Sequence, residues 1–228
     1  MPRSKKYQEA TKLVDPKKLY SITDAMALVK KTSTTKFDSS VELHVKLGIN
    51  PDKSDQQLRT SVVLPHGTGK SLRIAAFVSA ANEKSAKEAG ADIAGGKELI
   101  QQINTSGKID FDIAVAEPEM MKELASIAKI LGPRGLMPSP KNETVTKDIK
   151  HAIEQIKKGK IDVKNDSAGN VHLVIGKVSF DDKALTANYQ AALEAIIKNK
   201  PQSAKGVYVK TISLSATMGP GIKIETPL

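Results

Sequence analysis

The sequence predicts an α/β chain in which one domain, assembled from both ends of the polypeptide, is interrupted by an inserted domain built on a parallel sheet. Three observations carry this expectation. Strands alternating apolar and polar side chains lie towards both ends, nearly continuous apolar strands alternate with helical stretches in the middle, and glycine-bearing segments stand where one texture gives way to the other.

In chain order, Thr23 is placed to cap a helix carrying Ala25, Met26 and Val29. Val41, Leu43, Val45 and Leu47 then alternate with Glu42, His44 and Lys46, the mark of a strand with one buried and one wet face. Residues 65–70 form the first glycine-bearing crossing. Residues 74–78 and 113–116 are apolar throughout, as strands covered on both faces are, and helices are expected at 83–89, 97–103, 118–130 and 145–157. Within the third, Met121, Leu124, Ala128 and Leu131 recur at helical spacing and read as a core-facing stripe. The second crossing is 157–160. Val171, Leu173 and Ile175 alternate around His172, Leu185, Tyr189, Leu193 and Ile196 mark a further helix, and 206–215 reads as a strand rich in β-branched residues. Gly67, Gly69 and Gly159 are the expected hinge, dividing the chain into a discontinuous domain, 1–67 with 160–228, and an inserted domain, 68–159.

Charge points to a partner. The 228 residues carry 35 Lys and Arg against 25 Asp and Glu, a net of +10, and nucleic acid is the commonest polyanion to match such an excess. The excess is uneven: 68–159 holds 14 basic and 12 acidic side chains, a net of +2, which leaves 21 basic and 13 acidic, or +8, in the split domain. That domain should be the principal RNA binder. No apolar run approaches the ~20 residues of a spanning helix, and the first residues lack the apolar core of a signal peptide, so a cytoplasmic protein with no membrane partner is expected. The absence of Cys excludes disulfides and thiolate metal sites or nucleophiles, and His44, His66, His151 and His172 show no i, i+4 helical pairing, so neither metal nor cofactor is expected. Scarce aromatics and no Trp favour folded RNA over unpaired bases read by stacking.

Gly69, Lys70 and Ser71 end like a Walker loop, but the first glycine of that motif should stand at Leu64, so the spacing fails. Gly95 and Gly96 before a helix do not make a dinucleotide fingerprint and read as a turn. No carboxylate is accompanied by a nucleophile, base and orienting group, so an enzyme is not expected. Lys36 and Phe37 precede the first alternating strand and Thr217, Met218 and Gly219 follow the last, so both segments can share one edge. There Thr217 offers a hydroxyl, Gly219 a close backbone approach, and Phe37 and Met218 apolar contact. Alone, Phe37 reads equally as core and His172 as a solvated histidine. Arg3, Lys5 and Lys6 read as a basic arm or a solvated tail.

Two glycines and three prolines occupy Gly132, Pro133, Gly135, Pro138 and Pro140, with Arg134 at the centre: a loop with a defined backbone, in which Gly132 and Gly135 permit left-handed turns. The run Ile130-Leu-Gly-Pro-Arg-Gly-Leu-Met-Pro-Ser-Pro-Lys141 resembles the signature of the bacterial ribosomal L-one family. Lys36-Phe-Asp38, Leu64-Pro-His-Gly67, Gly90-Ala-Asp92, Asn165-Asp166 and Thr217-Met-Gly-Pro220 follow the same order, and the likeness runs from Arg3 to Gly221.

The resemblance implies a split α+β domain gripping folded large-subunit rRNA and an inserted, Rossmann-like three-layer α/β domain. Together they would form a mobile stalk that assists release of deacylated exit-site tRNA, monomeric within the ribosome. It also implies repression through the protein's own operon mRNA. RNA contact is implied for Lys36, Phe37, Thr217, Met218 and Gly219, with Ser40, Glu42, Lys46, Asp166, His172 and Thr211 nearby. The alternatives are a nucleotide-dependent enzyme on the central sheet and a non-specific basic RNA-binding protein.

Overall fold

The computed structural model describes residues 4–226. Its elements run α1 (Lys5–Lys12), α2 (Ile22–Thr32), β1 (Ser40–Leu47), β2 (Arg59–Val63), β3 (Ile74–Phe77), α3 (Glu83–Glu88), β4 (Ile93–Gly95), α4 (Lys97–Ser106), β5 (Ile113–Ala116), α5 (Met121–Leu124), α6 (Ala128–Leu131), α7 (Ile149–Lys157), β6 (Lys160–Lys164), β7 (Asn170–Lys177), α8 (Asp182–Lys198), β8 (Val209–Ala216) and β9 (Ile222–Ile224). The chain folds as two units: residues up to Gly69 with those from Ile161 onward, and Lys70–Lys160 between them.

In the first unit an antiparallel sheet in the order β7-β1-β8-β9 carries alternating burial along β1, as the sequence pattern requires. Val41, Leu43, Val45 and Leu47 join Val171, Leu173, Ile175, Ile212 and Leu214 in one core with Met26 and Val29 of α2 and Leu185, Tyr189 and Ile196 of α8. Both helices therefore cover one face and leave the other polar. A separate two-stranded sheet, β2-β6, was not anticipated: its strands are short and β2 is nowhere fully buried, so neither shows a clear period.

The second unit has the parallel order β4-β3-β5, with β3 central. Ala75 and Phe77 face a core with α4, α5 and α6, while Ile74 and Ala76 face another with α3 and α7. Two helical layers around a parallel sheet make the three-layer, Rossmann-like arrangement.

Four local expectations are corrected. Ser21, not Thr23, caps α2: its side chain accepts from the Asp24 amide, and Asp24 in turn accepts from the Ser21 hydroxyl. The helix expected at 118–130 is broken by 3₁₀ turns at Pro118–Met120 and Ala125–Ile127, so the buried stripe is Met120, Leu124, Ile127 and Leu131, with Met121 and Ala128 only half-buried. The helix expected from 145 begins at Ile149, where Asp148 caps it, because Val145 pairs with Ala116 at the sheet edge. The strand expected from 206 begins at Val209, after Gly206 turns at φ 80°.

Lys5 and Lys6 open α1, capped by Ser4, rather than lying in a loose tail, and Ala10 of that helix is buried. Arg3 lies outside the described residues. In the signature loop Gly135 is left-handed at φ 70°, but Gly132 closes α6 at φ −58°. Gly132 is needed for space instead, since a Cβ there would stand 2.7 Å from the Ala128 carbonyl oxygen. Leu136 and Met137 tuck against the core, Pro138 is buried, and Pro133 and Arg134 are exposed.

Candidate nucleic-acid interface

Strand register builds the site. Lys46 pairs across the ladder with Asn170 and Thr211, His44 with His172 and Ser213, and Glu42 with Val174 and Ser215, so these side chains share the polar face opposite the helices. Ser40 begins the same row and pairs with Lys177, whose ammonium donates to the Ser40 hydroxyl at 3.1 Å.

Because β1 and β8 are antiparallel, the segment before β1 and the turn after β8 meet at one end of the sheet. The Thr217 amide donates to the Ser40 carbonyl at 2.9 Å, and the Ser40 amide donates to Thr217 Oγ1 at 3.2 Å. Asp38 accepts from the amide and hydroxyl of Ser179, which fixes the approach of Lys36 and Phe37. Phe37 is 61% exposed and Met218 75%, unusual for large apolar groups. The Gly219 amide donates to the Ala216 carbonyl at 2.8 Å, closing a tight turn in which Met218 has φ 68°. Positive φ at that position suits glycine, so a methionine held there is strained and outward-facing.

At the other end Asp166 organises the loop before β7, accepting from the Ala168 and Asn170 amides and from the Asn170 side chain. The Asn170 side chain and amide, then the Ala168 amide and His172, hold its carboxyl well below the usual range. Lys46 donates to the Ala168 carbonyl. His44 Nδ1 stands 2.8 Å from His172 Nδ1, and its Nε2 stands 3.0 Å from Ser215 Oγ. Burial, then the neighbouring His172, pushes the His44 pKa below 6.5, against a smaller opposing pull from Glu42.

The expected contact residues Ser40, Glu42, Lys46, His172 and Thr211 thus lie on one polar face, with Asp166 at its margin and Lys36, Phe37, Thr217, Met218 and Gly219 at one end. Four neighbours were not singled out: His44, Asn170, Ser215 and Lys177. Alternation had already put His44 on the wet face, but only the register between distant strands could add the other three.

The Gly67–Ser71 segment has no phosphate-cradling context. It leads into β3 rather than a helix, so its amides do not gather at a helix N-terminus. A cleft of about 770 Å³ does lie at the ends of β3 and β4, beside Gly95, Gly96 and the start of α4. Glu83 and Glu98 line it, and its Lys97 is paired with Glu123, an unfavourable lining for polyphosphate. Among the described residues no group of three or more His, Asp or Glu is arranged to hold a metal ion, and no helix is long and apolar enough to cross a membrane.

The family described as Ribosomal protein L1p/L10e matches residues 29–220, which contain the whole row from Lys36 to Gly219. The chain belongs to the ribosomal protein L1p/L10e family. It is 51% identical over 223 residues to the large ribosomal subunit protein uL1 of Kosmotoga olearia, covering 98% of this chain and 96% of that protein. It is 48% identical over 226 residues to the protein of the same name from Thermosipho melanesiensis, covering 99% and 97%, and 51% identical over 222 residues to that of Mycoplasma capricolum subsp. capricolum, covering 97% and 98%. Membership of L1p/L10e, a family of ribosomal proteins, leaves a nucleotide-dependent enzyme without support.

Proposed function

We propose that this chain is a structural constituent of the large ribosomal subunit that binds large-subunit rRNA through the polar sheet face and its Phe37–Met218 end. The observation carrying this reading is the exposure of those two apolar side chains beside the polar row, in a chain of a ribosomal family. Folded RNA presents ribose hydroxyls, base edges and phosphates together, and the site offers matching chemistry: lysines for phosphate, Thr217, Ser40 and Glu42 for hydroxyls, and a strained methionine for an apolar surface.

The finer reading assigns this role to a discontinuous domain, 1–67 with 160–228, and lets the inserted domain, 68–159, move on a hinge at Gly67, Gly69 and Gly159. All three glycines have positive φ, at 64°, 73° and 99°, where other residues are strained. In this reading the protein acts as a monomer in a mobile stalk that assists departure of exit-site tRNA, and represses translation by binding its own operon mRNA. The rRNA contacts are Lys36, Phe37, Ser40, Glu42, Lys46, Asp166, His172, Thr211, Thr217, Met218 and Gly219.

Co-sedimentation tests the reading. The purified chain should travel with large ribosomal subunits through a high-salt cushion, since a contact specified by shape and hydrogen bonds outlasts the screening that releases a purely electrostatic binder. Release at the salt concentration that frees it from an unrelated RNA would favour the non-specific basic binder.

A further inference from the structure

We propose that His44 and His172 form a phosphate-receiving subsite that takes up one proton when an RNA phosphodiester settles on the polar sheet face. The proposal rests on the RNA-binding reading above and adds to it a titrating pair that membership of the family does not supply.

The polarity of the network follows from its partners. The Asp166 carboxylate can only accept, so His172 Nε2, 3.5 Å away, carries a hydrogen. In a neutral imidazole the other nitrogen is then an acceptor, and His44 Nδ1 must donate across the 2.8 Å contact to His172 Nδ1. His44 Nε2 is thereby left an acceptor, and the Ser215 hydroxyl donates to it at 3.0 Å. Every hydrogen in the row points towards Asp166. In this state the two rings have no N–H to spare for an arriving anion.

One proton reverses the row. With the pair at +1, His172 carries hydrogens on both nitrogens and donates from Nδ1 to His44 Nδ1. His44 then carries its hydrogen on Nε2, and the Ser215 hydroxyl hydrogen is released. The solvent proton adds at His44 Nε2, which donates to Ser215 Oγ, while the His44 Nδ1 hydrogen crosses to His172 Nδ1, so two N–H bonds form and one breaks; the face gains a positive charge and the freed Ser215 hydroxyl as a donor. A phosphodiester over the row favours that state by its charge.

The groups around the pair explain why the proton is not already bound. Glu42 on β1, 3.8 Å from His44 Nε2, and Asp166 beside His172 favour it. Burial of His44 keeps the charge off that ring and leaves it to the exposed His172. Lys46 on β1, Lys177 on β7 and Lys223 on β9, opposite Ser213, bear on the face and oppose the proton. Ser213 and Ser215 contribute no charge. An incoming phosphate tips this balance, and the proton offsets the two carboxylates that would otherwise repel RNA at the centre of its own site.

Titration calorimetry of the full chain against the bacterial large-subunit rRNA fragment it protects from nuclease, at about pH 7 in buffers of different ionisation enthalpy, counts the protons. Wild type should take up about 0.5 to 1 proton, and affinity should rise by up to about tenfold per pH unit between about pH 8 and 6. The His44→Gln, His172→Gln double variant should bind more weakly, lose that uptake and show a flat pH profile, with circular dichroism confirming the fold. Should it melt early, His172→Gln alone, at an exposed position, reports the same loss. Tight binding without uptake by wild type, or equal uptake by the variant, which would place the proton on the RNA, overturns the subsite and leaves the RNA-binding reading standing. Failure to protect any rRNA fragment overturns both.

Discussion

Ser40 and Thr217, at the start of β1 and just past the end of β8, are tied by hydrogen bonds in both directions: Thr217 N–H to the Ser40 carbonyl at 2.9 Å, and Ser40 N–H to Thr217 Oγ1 at 3.2 Å. Thr217 Oγ1 also lies 3.3 Å from Glu42 Oε1. One hydroxyl therefore holds two distant segments in register and orients a carboxylate on the polar face. The same pairing brings Phe37 and Met218 to a single end of the sheet.

Thr217→Val keeps the shape and deletes the hydroxyl. Affinity for the specific rRNA fragment should fall by ~1 to 3 kcal/mol with an unchanged salt slope, whereas Lys46→Ala should flatten the slope by about one unit. Titrations over several salt concentrations, against the rRNA fragment and a scrambled hairpin, separate the two. Equal losses on both RNAs from Thr217→Val would assign Thr217 to the fold alone.

Met218→Gly relieves a left-handed residue whose strain is of order 1 to 2 kcal/mol, while glycine gives back roughly 0.5 to 1 kcal/mol in unfolded-state entropy. Thermal stability should stay level or rise slightly as RNA affinity drops. A fall in both would mean that Met218 packs rather than contacts RNA.

Asn188 is fully buried in α8, accepting from the His66 amide and donating to the Gly67 and Ile175 carbonyls. Asn188→Leu should cost ~3 kcal/mol or more in urea unfolding, because three backbone groups lose their partner. The Tyr189 hydroxyl beside it in sequence is buried with no hydrogen-bond partner among the described residues, and burial raises its pKa. Tyr189→Phe should therefore be neutral or stabilising by up to ~1 kcal/mol.

Gly69→Ala combines φ 73° with a Cβ 2.9 Å from Lys177 Cγ, whereas Gly135→Ala has φ 70° in open space. Denaturation midpoints should fall for both, by about 1 kcal/mol at Gly135 and more at Gly69. Equal losses would show that the Lys177 side chain simply moves aside.

His44 has its pKa depressed in the folded chain below 6.5, so it favours folding in its neutral form. Its contribution is present above pH 6.5 and lost as pH falls through the folded value. Without RNA the melting temperature should decline on acidification below pH 6.5, and His44→Gln should reduce that decline. RNA binding runs the other way, strengthening with acid. Parallel pH trends for melting and binding would contradict the assignment of the first to His44 and of the second to the His44–His172 pair.

The sequence made some features legible and hid others for physical reasons. β1 was plain because burial on one face forces alternation, and β3 and β5 because burial on two faces removes it. β4 and β9 were invisible: three residues are too few to show a period. The broken helix after β5 misled because 3₁₀ turns shift the buried stripe by one residue. At the interface, local sequence located Lys36, Phe37 and Thr217–Gly219, but the pairing of Thr217 with Ser40 and of His44 with His172 depends on strand register. Asn188 reads as an ordinary helical polar residue; its role exists only because the chain at Gly67 passes beside it.

Site-specific crosslinking reads the location of the RNA most directly. Benzoylphenylalanine placed at Phe37, at Met218, or at Ile197, which is exposed on α8 in the helical layer, is irradiated with bacterial large-subunit rRNA. Positions 37 and 218 should crosslink to the same rRNA segment and 197 should give only background, whereas crosslinks from 197 with none from 37 and 218 would contradict the proposed interface.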